Sequence, residues 1–373
     1  GAGAVSVNVG ISATYAENTI GGTVLATIDD SIVESTGGVV SVKAYADSMI
    51  EAYGQAVGVS AGGAGAVSVN VAVAAVGATN MTTNSVEASI KGDSDVDAND
   101  GTYGLVTVTA TDLSDIVSEL TSASVSAGGA GGGSVNLTFA LTYAENAIGG
   151  SLIATIAASE VDTTGTVTVS ASTYDADTSD NKSITSTGIA AAVSIGGAGG
   201  VSINGAGTGV ISRNTTTNVI EASITGGSDV DADDGVSLSA TDNSAIDATL
   251  VAASVSIGGA GGLAVDLAIA VSTAEVVFGT QTTAEISGST VTSTGGGISL
   301  AALSSGSIDV YGIGVGVAFT AAGGVAVSGA AAGSLAKVTS TNVTEAVITD
   351  GSSVTADGGS ITLSATDETE LDV

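Results

Sequence analysis

The side chains able to do chemistry in this chain are almost all carboxylates. The run Asp93-Ser94-Asp95-Val96-Asp97-Ala98-Asn99-Asp100-Gly101 is echoed by Asp229-Val230-Asp231-Ala232-Asp233-Asp234-Gly235. Alternate residues of a strand point to one side. Asp95, Asp97 and Asp100, and likewise Asp229, Asp231 and Asp233, are therefore candidate ligands for a shared hard cation. Ca²⁺, which takes about six to eight oxygens, suits such a set. The pattern approaches a D-x-D-x-D-G calcium loop, but its glycine comes one place late and no Glu stands at the twelfth position. In the last copy Ser353 and Thr355 replace two of the acids, while Asp357 stays. The competing reading is a solvated acidic face with Asp/Gly turns, and on it no cofactor is required.

Other chemistries find less support. Paired carboxylates can cleave glycosidic bonds, but the aromatic platforms and basic partners of such sites are scarce here: one Arg, no His and no Trp. Gly258-Gly259-Ala260-Gly261-Gly262 has the glycines of a phosphate loop without the Lys-Ser/Thr pair or a following helix. Thr215-Thr216-Thr217 does not recur at a fixed spacing, as an ice-binding face would need. The expectation is a protein that is not an enzyme.

The elements that position these residues must be strands. Hydrophobic residues make up 44% of the 373, enough for a core, yet aromatics are only 3% and there is no Pro or Cys. A core of Ala, Val, Ile and Gly spread evenly along the chain suits an elongated object with a thin interior. Five basic residues face 38 acidic ones, for a net charge of −33. That surface repels nucleic acid and anionic membranes and attracts cations. Tyr311 to Ala336 is uncharged and long enough for a membrane helix, but it alternates Gly/Ala with Val/Ile, so strand is expected and no membrane insertion.

A Gly-Ala-Gly signature recurs at Gly1, Gly63, Gly129, Gly197 and Gly259, with a weakened copy at Ala321, at intervals of 62, 66, 68, 62 and 62 residues. An alternating strand follows each copy, as in Val5-Ser6-Val7-Asn8 and Val67-Ser68-Val69-Asn70; the fifth copy ends in Asp266 and the sixth in Ser328. The chain thus divides into six units, 1–62, 63–128, 129–196, 197–258, 259–320 and 321–373, of one continuous solenoid. Alternation such as Val167-Thr168-Val169-Ser170-Ala171 puts apolar residues on one face and hydroxyls on the other. Ala and Gly should face inward, with Val and Ile filling the rest. Asn84, Asn218 and Asn342 precede corresponding strands and are candidates for an inward or turn-bracing asparagine ladder. The fold expected is all-β, a right-handed parallel β-helix. Three coils of roughly 20 residues per unit would give a rod of about 85 Å at ~4.8 Å per coil; two coils or a hairpin-decorated unit is the alternative. Both ends fall inside a repeat, which suggests a segment of a longer array, or else copies stacked end to end.

One combination is familiar: A-x-I-x-x-S-x-V, a glycine turn and an alternating strand, then a strand of the type G-V-S-x-G-G-A-G-A-V-S-V-N-V. The first part runs from Ala284-Glu285-Ile286 through Ala301, and again from Ala222 to Ala240; the second runs from Gly58-Val59-Ser60 through Val71. It resembles the repeats of very large bacterial surface proteins, the leukotoxin-type filamentous adhesins and haemagglutinin-like autotransporter passengers. The resemblance implies a β-helical stalk, extracellular or at the cell surface, with a structural or adhesive role. Expected partners are further copies of its own repeat, neighbouring filaments or cell-surface glycans. The rival readings are a self-assembling fibre subunit joining head to tail and a calcium-dependent binding module.

Overall fold

In the computed structural model, which describes residues 3–99, 104–175 and 180–373, every described element is a strand. Apart from a small antiparallel pair, Tyr174–Asp175 with Asp180–Asn181, the strands stack in parallel into four sheets. The second coil shows the path. A long strand, Val67–Lys91, leads to a corner strand, Asp95–Ala98; a body strand, Leu105–Asp112, and a return strand, Asp115–Ala130, bring the chain back. A turn through Gly131 and Gly132 starts the next long strand at Gly133. Pairing partners lie 62, 66, 68, 62 and 62 residues apart. Each coil therefore consumes a whole sequence unit. The expectation of 20-residue coils is corrected: there are six wide coils, and at ~4.8 Å per coil they make a stack about 29 Å deep in place of an 85 Å rod.

The error has a physical source. Glycine clusters such as Gly37-Gly38 and Gly226-Gly227 do turn the chain, but other glycines lie within or between collinear strands and mark no corner. In the first coil Gly21-Gly22 separates Val5–Ile20 from Thr23–Asp29, and both pair with the single strand Val67–Lys91. At ~3.3 Å per residue a 25-residue strand spans about 80 Å, so the molecule is wide across its coils and shallow along its axis.

Each coil has two parts. In the body, the far end of the long strand packs against the body strand around Ile90, Ile156, Ile224, Val108, Val169 and Leu238, all fully buried. Burying each such side chain is worth about 1.5–3 kcal/mol. In the other part, here called the fin, the return strand lies face to face with the first two-thirds of the long strand. Ala and Gly face inward there as expected, but Ser and Asn join them and Val turns outward. Ser68, Asn70, Ala72 and Ala74 point in, while Val67, Val69, Val71 and Val73 point out; across the layer Gly58 and Ser60 point in, and Val57 and Val59 out. Small residues inside let the two sheets approach to backbone contact. A Cβ added at Gly58 would collide with the Val73 carbonyl, and one at Gly10 with that of Val59. The two backbones leave no room for Val or Ile, so the β-branched residues occupy the outer surface.

Candidate functional site

The acidic runs fall on the corner sheet. Its register stacks Asp95, Glu160 and Asp229 in one column, and Glu34, Asp97, Asp162 and Asp231 in the next. Glu160 and Asp162, which belong to no D-x-D-G motif, complete the columns; only knowledge of the 65- and 69-residue offsets between these strands could have found them. The columns end at Thr290 and Thr292. Asp93, Asp95, Glu160 and Asp229, with Ser94 and Ser159, line a shallow groove of about 260 Å³. Asp233 follows its strand and donates its backbone N–H to the Thr163 carbonyl. Asp100 lies outside the described residues. Successive carboxylates of a column sit one coil apart on an open face, and the described residues contain no group of three or more carboxylates that could hold a metal ion.

The polar groups that the structure does organise are inside. In the fin, the Asn8 amide donates to Asn70 Oδ1 at 2.8 Å, Asn70 to Asn136 at 2.9 Å and Asn136 to Asn204 at 2.8 Å. Asn204 donates to Asp266 Oδ1 at 2.9 Å. Each of these amides also donates to the serine two residues earlier, Ser6, Ser68, Ser134 or Ser202, at 3.0 Å. The Ser-x-Asn of the repeat thus supplies both acceptors that an NH₂ group needs. Asn18, Asn80, Asn146 and Asn214 form a second row, with amide bonds of 2.8–2.9 Å. Asp266 ends the first row, and its Oδ2 is buried without a hydrogen-bond partner.

Asn84, Asn218 and Asn342 form no ladder with one another; they brace the bend between body and return strands. Asn84 donates to Ser114 Oγ at 2.9 Å, and Asn342 to Thr369 Oγ1 at 2.8 Å. Beside this bend Asp112 and Asp242 each accept from the backbone N–H and hydroxyl of the serine two residues on. In the third coil Lys182 occupies that serine's place. Its ammonium meets Asp112 Oδ2 at 2.6 Å, with both side chains 3% exposed. Composition alone gave no hint of this buried ion pair.

Two more of the five basic residues stand at the base of the fin, where Glu145, Arg213, Glu275 and Lys337 are in register in consecutive coils. Lys337 lies 2.8 Å from Glu275, and Arg213 3.6 Å from it on the other side. The hydrogen bond and charge of Lys337 hold the Glu275 carboxyl below its ordinary pKa. Tyr143 donates its hydroxyl to Glu145 at 2.6 Å, and this bond is the main cause raising the phenol's pKa.

Some of these groups brace a bend or strand within one coil, and the rest bond coil to coil. The asparagine rows face their own kind across the junctions, and the Lys182–Asp112 and Lys337–Glu275 pairs cross junctions as well. Comparison with protein-family models, with curated proteins and with solved structures found no match.

Proposed function

We propose that this chain is a structural segment of a large extracellular or cell-surface filament, acting mechanically and without catalysis, on a right-handed coil. The observation that carries this reading is the continuity of bonding across every junction between coils. Long parallel ladders run from the first coil to the sixth, and asparagine rows accompany them through the first four coils. The likeness to filamentous adhesin repeats agrees with it. The acidic coat, at −33, keeps such an object soluble.

Pulling the chain between its ends by single-molecule force spectroscopy tests the reading. Coils should peel one at a time, each releasing about 200–240 Å of chain for 62–68 residues at 3.3–3.6 Å each. Unfolding at low force without such steps would refute a mechanical role.

The self-assembling subunit is the reading kept beside it. Strands Val5–Ile20 and Val325–Ser340 each pair on one side within this chain, and a strand edge of this kind is a template for further pairing.

A further inference from the structure

The fin's outward surface is the feature that neither the fold nor the proposed role uses. At every outward position from Val5 to Ala13, and at those in register with them through all six coils, the residue is Val, Ile, Leu, Phe, Ala or Gly. Charge begins abruptly one step beyond Tyr15 and Tyr143, at the row containing Glu145, Arg213, Glu275 and Lys337. The opposite face, from Val57 to Ala61 and in register with it, is also wholly apolar, but it is shorter, five residues along the strand against nine.

We propose that the outer face of the long sheet over the fin is the interface with a second copy of this chain, the two fins lying antiparallel. Area selects the occupant. Nine residues at ~3.3 Å by six coils at ~4.8 Å give about 870 Å², which meets the ~800 Å² per partner of a stable complex. The opposite face, at five residues against nine, has little more than half that area per coil and falls below that size. Charge selects the orientation. The fin carries no charged side chain outward over this band, and reversing one copy places the two acidic bodies at opposite ends. They are then separated by about 30 Å, several times the ~8 Å screening length at physiological salt. The face also has relief for a partner's side chains: a groove of about 500 Å³, floored by Ala75, Gly77 and Gly209 and walled by Tyr15, Tyr143 and Ile211. A lipid bilayer fits less well, because the row of Glu145 and Glu275 borders the face and the chain's net charge of −33 is repelled by anionic headgroups.

The proposal deepens the filament reading, since paired fins would bundle neighbouring filaments, but it stands on the face alone. Sedimentation velocity over a concentration series tests it with three chains: the natural one, Ile203→Glu on the long-sheet face and Ile195→Glu on the opposite face. Both sites are solvent-exposed, 41% and 44%, so circular dichroism should show all three folded. The expected result is a two-chain particle for the natural protein and Ile195→Glu, with association at least 100-fold weaker for Ile203→Glu. A natural chain that stays monomeric at tens of micromolar would overturn the proposal, and so would an Ile203→Glu variant that still pairs. Co-flotation of the monomer with neutral phosphatidylcholine vesicles would assign the face to lipid instead. A monomer that still peels coil by coil under force would remove the pairing and leave the mechanical reading intact.

Discussion

Asn136 and Val135 are neighbours whose expected importance reverses if the fin is built with its polar residues inside. Val135 points out and Asn136 is fully buried. Asn136 accepts from Asn70 at 2.9 Å and donates to Asn204 at 2.8 Å and to Ser134 at 3.0 Å. Asn136→Ala removes these bonds, leaving the Asn70 amide short of one acceptor and Asn204 Oδ1 without its donor. Each orphaned buried group costs about 1–3 kcal/mol, so the substitution should destabilise the fold by about 3–5 kcal/mol. Collapse of the layer offers no relief, since Gly128 and Gly196 already lie against this amide from the facing strand. Val135→Thr changes an outward side chain and should stay within about 0.5 kcal/mol. Urea denaturation followed by circular dichroism measures both. With the opposite phase, valine inside and asparagine in water, the valine change would be the costly one and the asparagine change near neutral. A larger loss from Val135→Thr than from Asn136→Ala would refute the inside-out fin.

The other polar positions give sharper, smaller tests. Asp266→Asn should stabilise the chain by about 1–3 kcal/mol, because it replaces a buried carboxylate whose Oδ2 has no partner with the amide of the other coils; an unchanged or lower melting temperature would count against the row. Lys182→Met strands Asp112 in the interior and should cost about 3–5 kcal/mol, while Lys182→Met with Asp112→Asn should recover most of it; equal losses in single and double variants would show that the pair is not coupled. Glu275, whose pKa is lowered by Lys337, gains from ionisation in the folded state. Its contribution is fully present above the ordinary carboxylate pKa and is lost as pH falls through the lowered one. Glu275→Gln should accordingly flatten the melting temperature against pH across that acidic window and leave the slope at neutral pH unchanged.

Period-two alternation announced strands throughout, and the unit spacing read from Gly-Ala-Gly coincides with the spacing of the coils. Coil length was not legible, because a glycine that turns the chain and one that lets two backbones touch look alike in one dimension. Gly226, with a φ of 72°, turns the chain after Val201–Thr225, whereas Gly58 sits under the Val73 carbonyl. The acidic runs were visible, but Glu160 and Asp162 join them only through pairing register. Lys182 was one lysine among four, and nothing near it in sequence marks Asp112 as its partner.

The phase of the fin shows why hydrophobicity alone misleads in so thin a layer. In Val67-Ser68-Val69-Asn70 the alternation is clear, and a core of ordinary thickness would turn the valines inward. What decides otherwise is size. The inward set facing Asn70 includes Gly62 and Gly128, each of which would collide with an asparagine amide if it carried a Cβ. Sheets that close admit only small side chains, and among these Ser and Asn can bond from coil to coil, which Val cannot. Outward valines in turn keep part of their hydrophobic benefit by stacking on the like residues of adjacent coils: Val67, Ile203 and Leu263 are each only about two-fifths exposed, against some three-fifths for Val5 and Val7 on the first coil. Interior coils are therefore better shielded than terminal ones, and each added coil lowers the exposure of the one before it. The same residues that leave the fin apolar to its neighbours thus favour continued stacking along the axis.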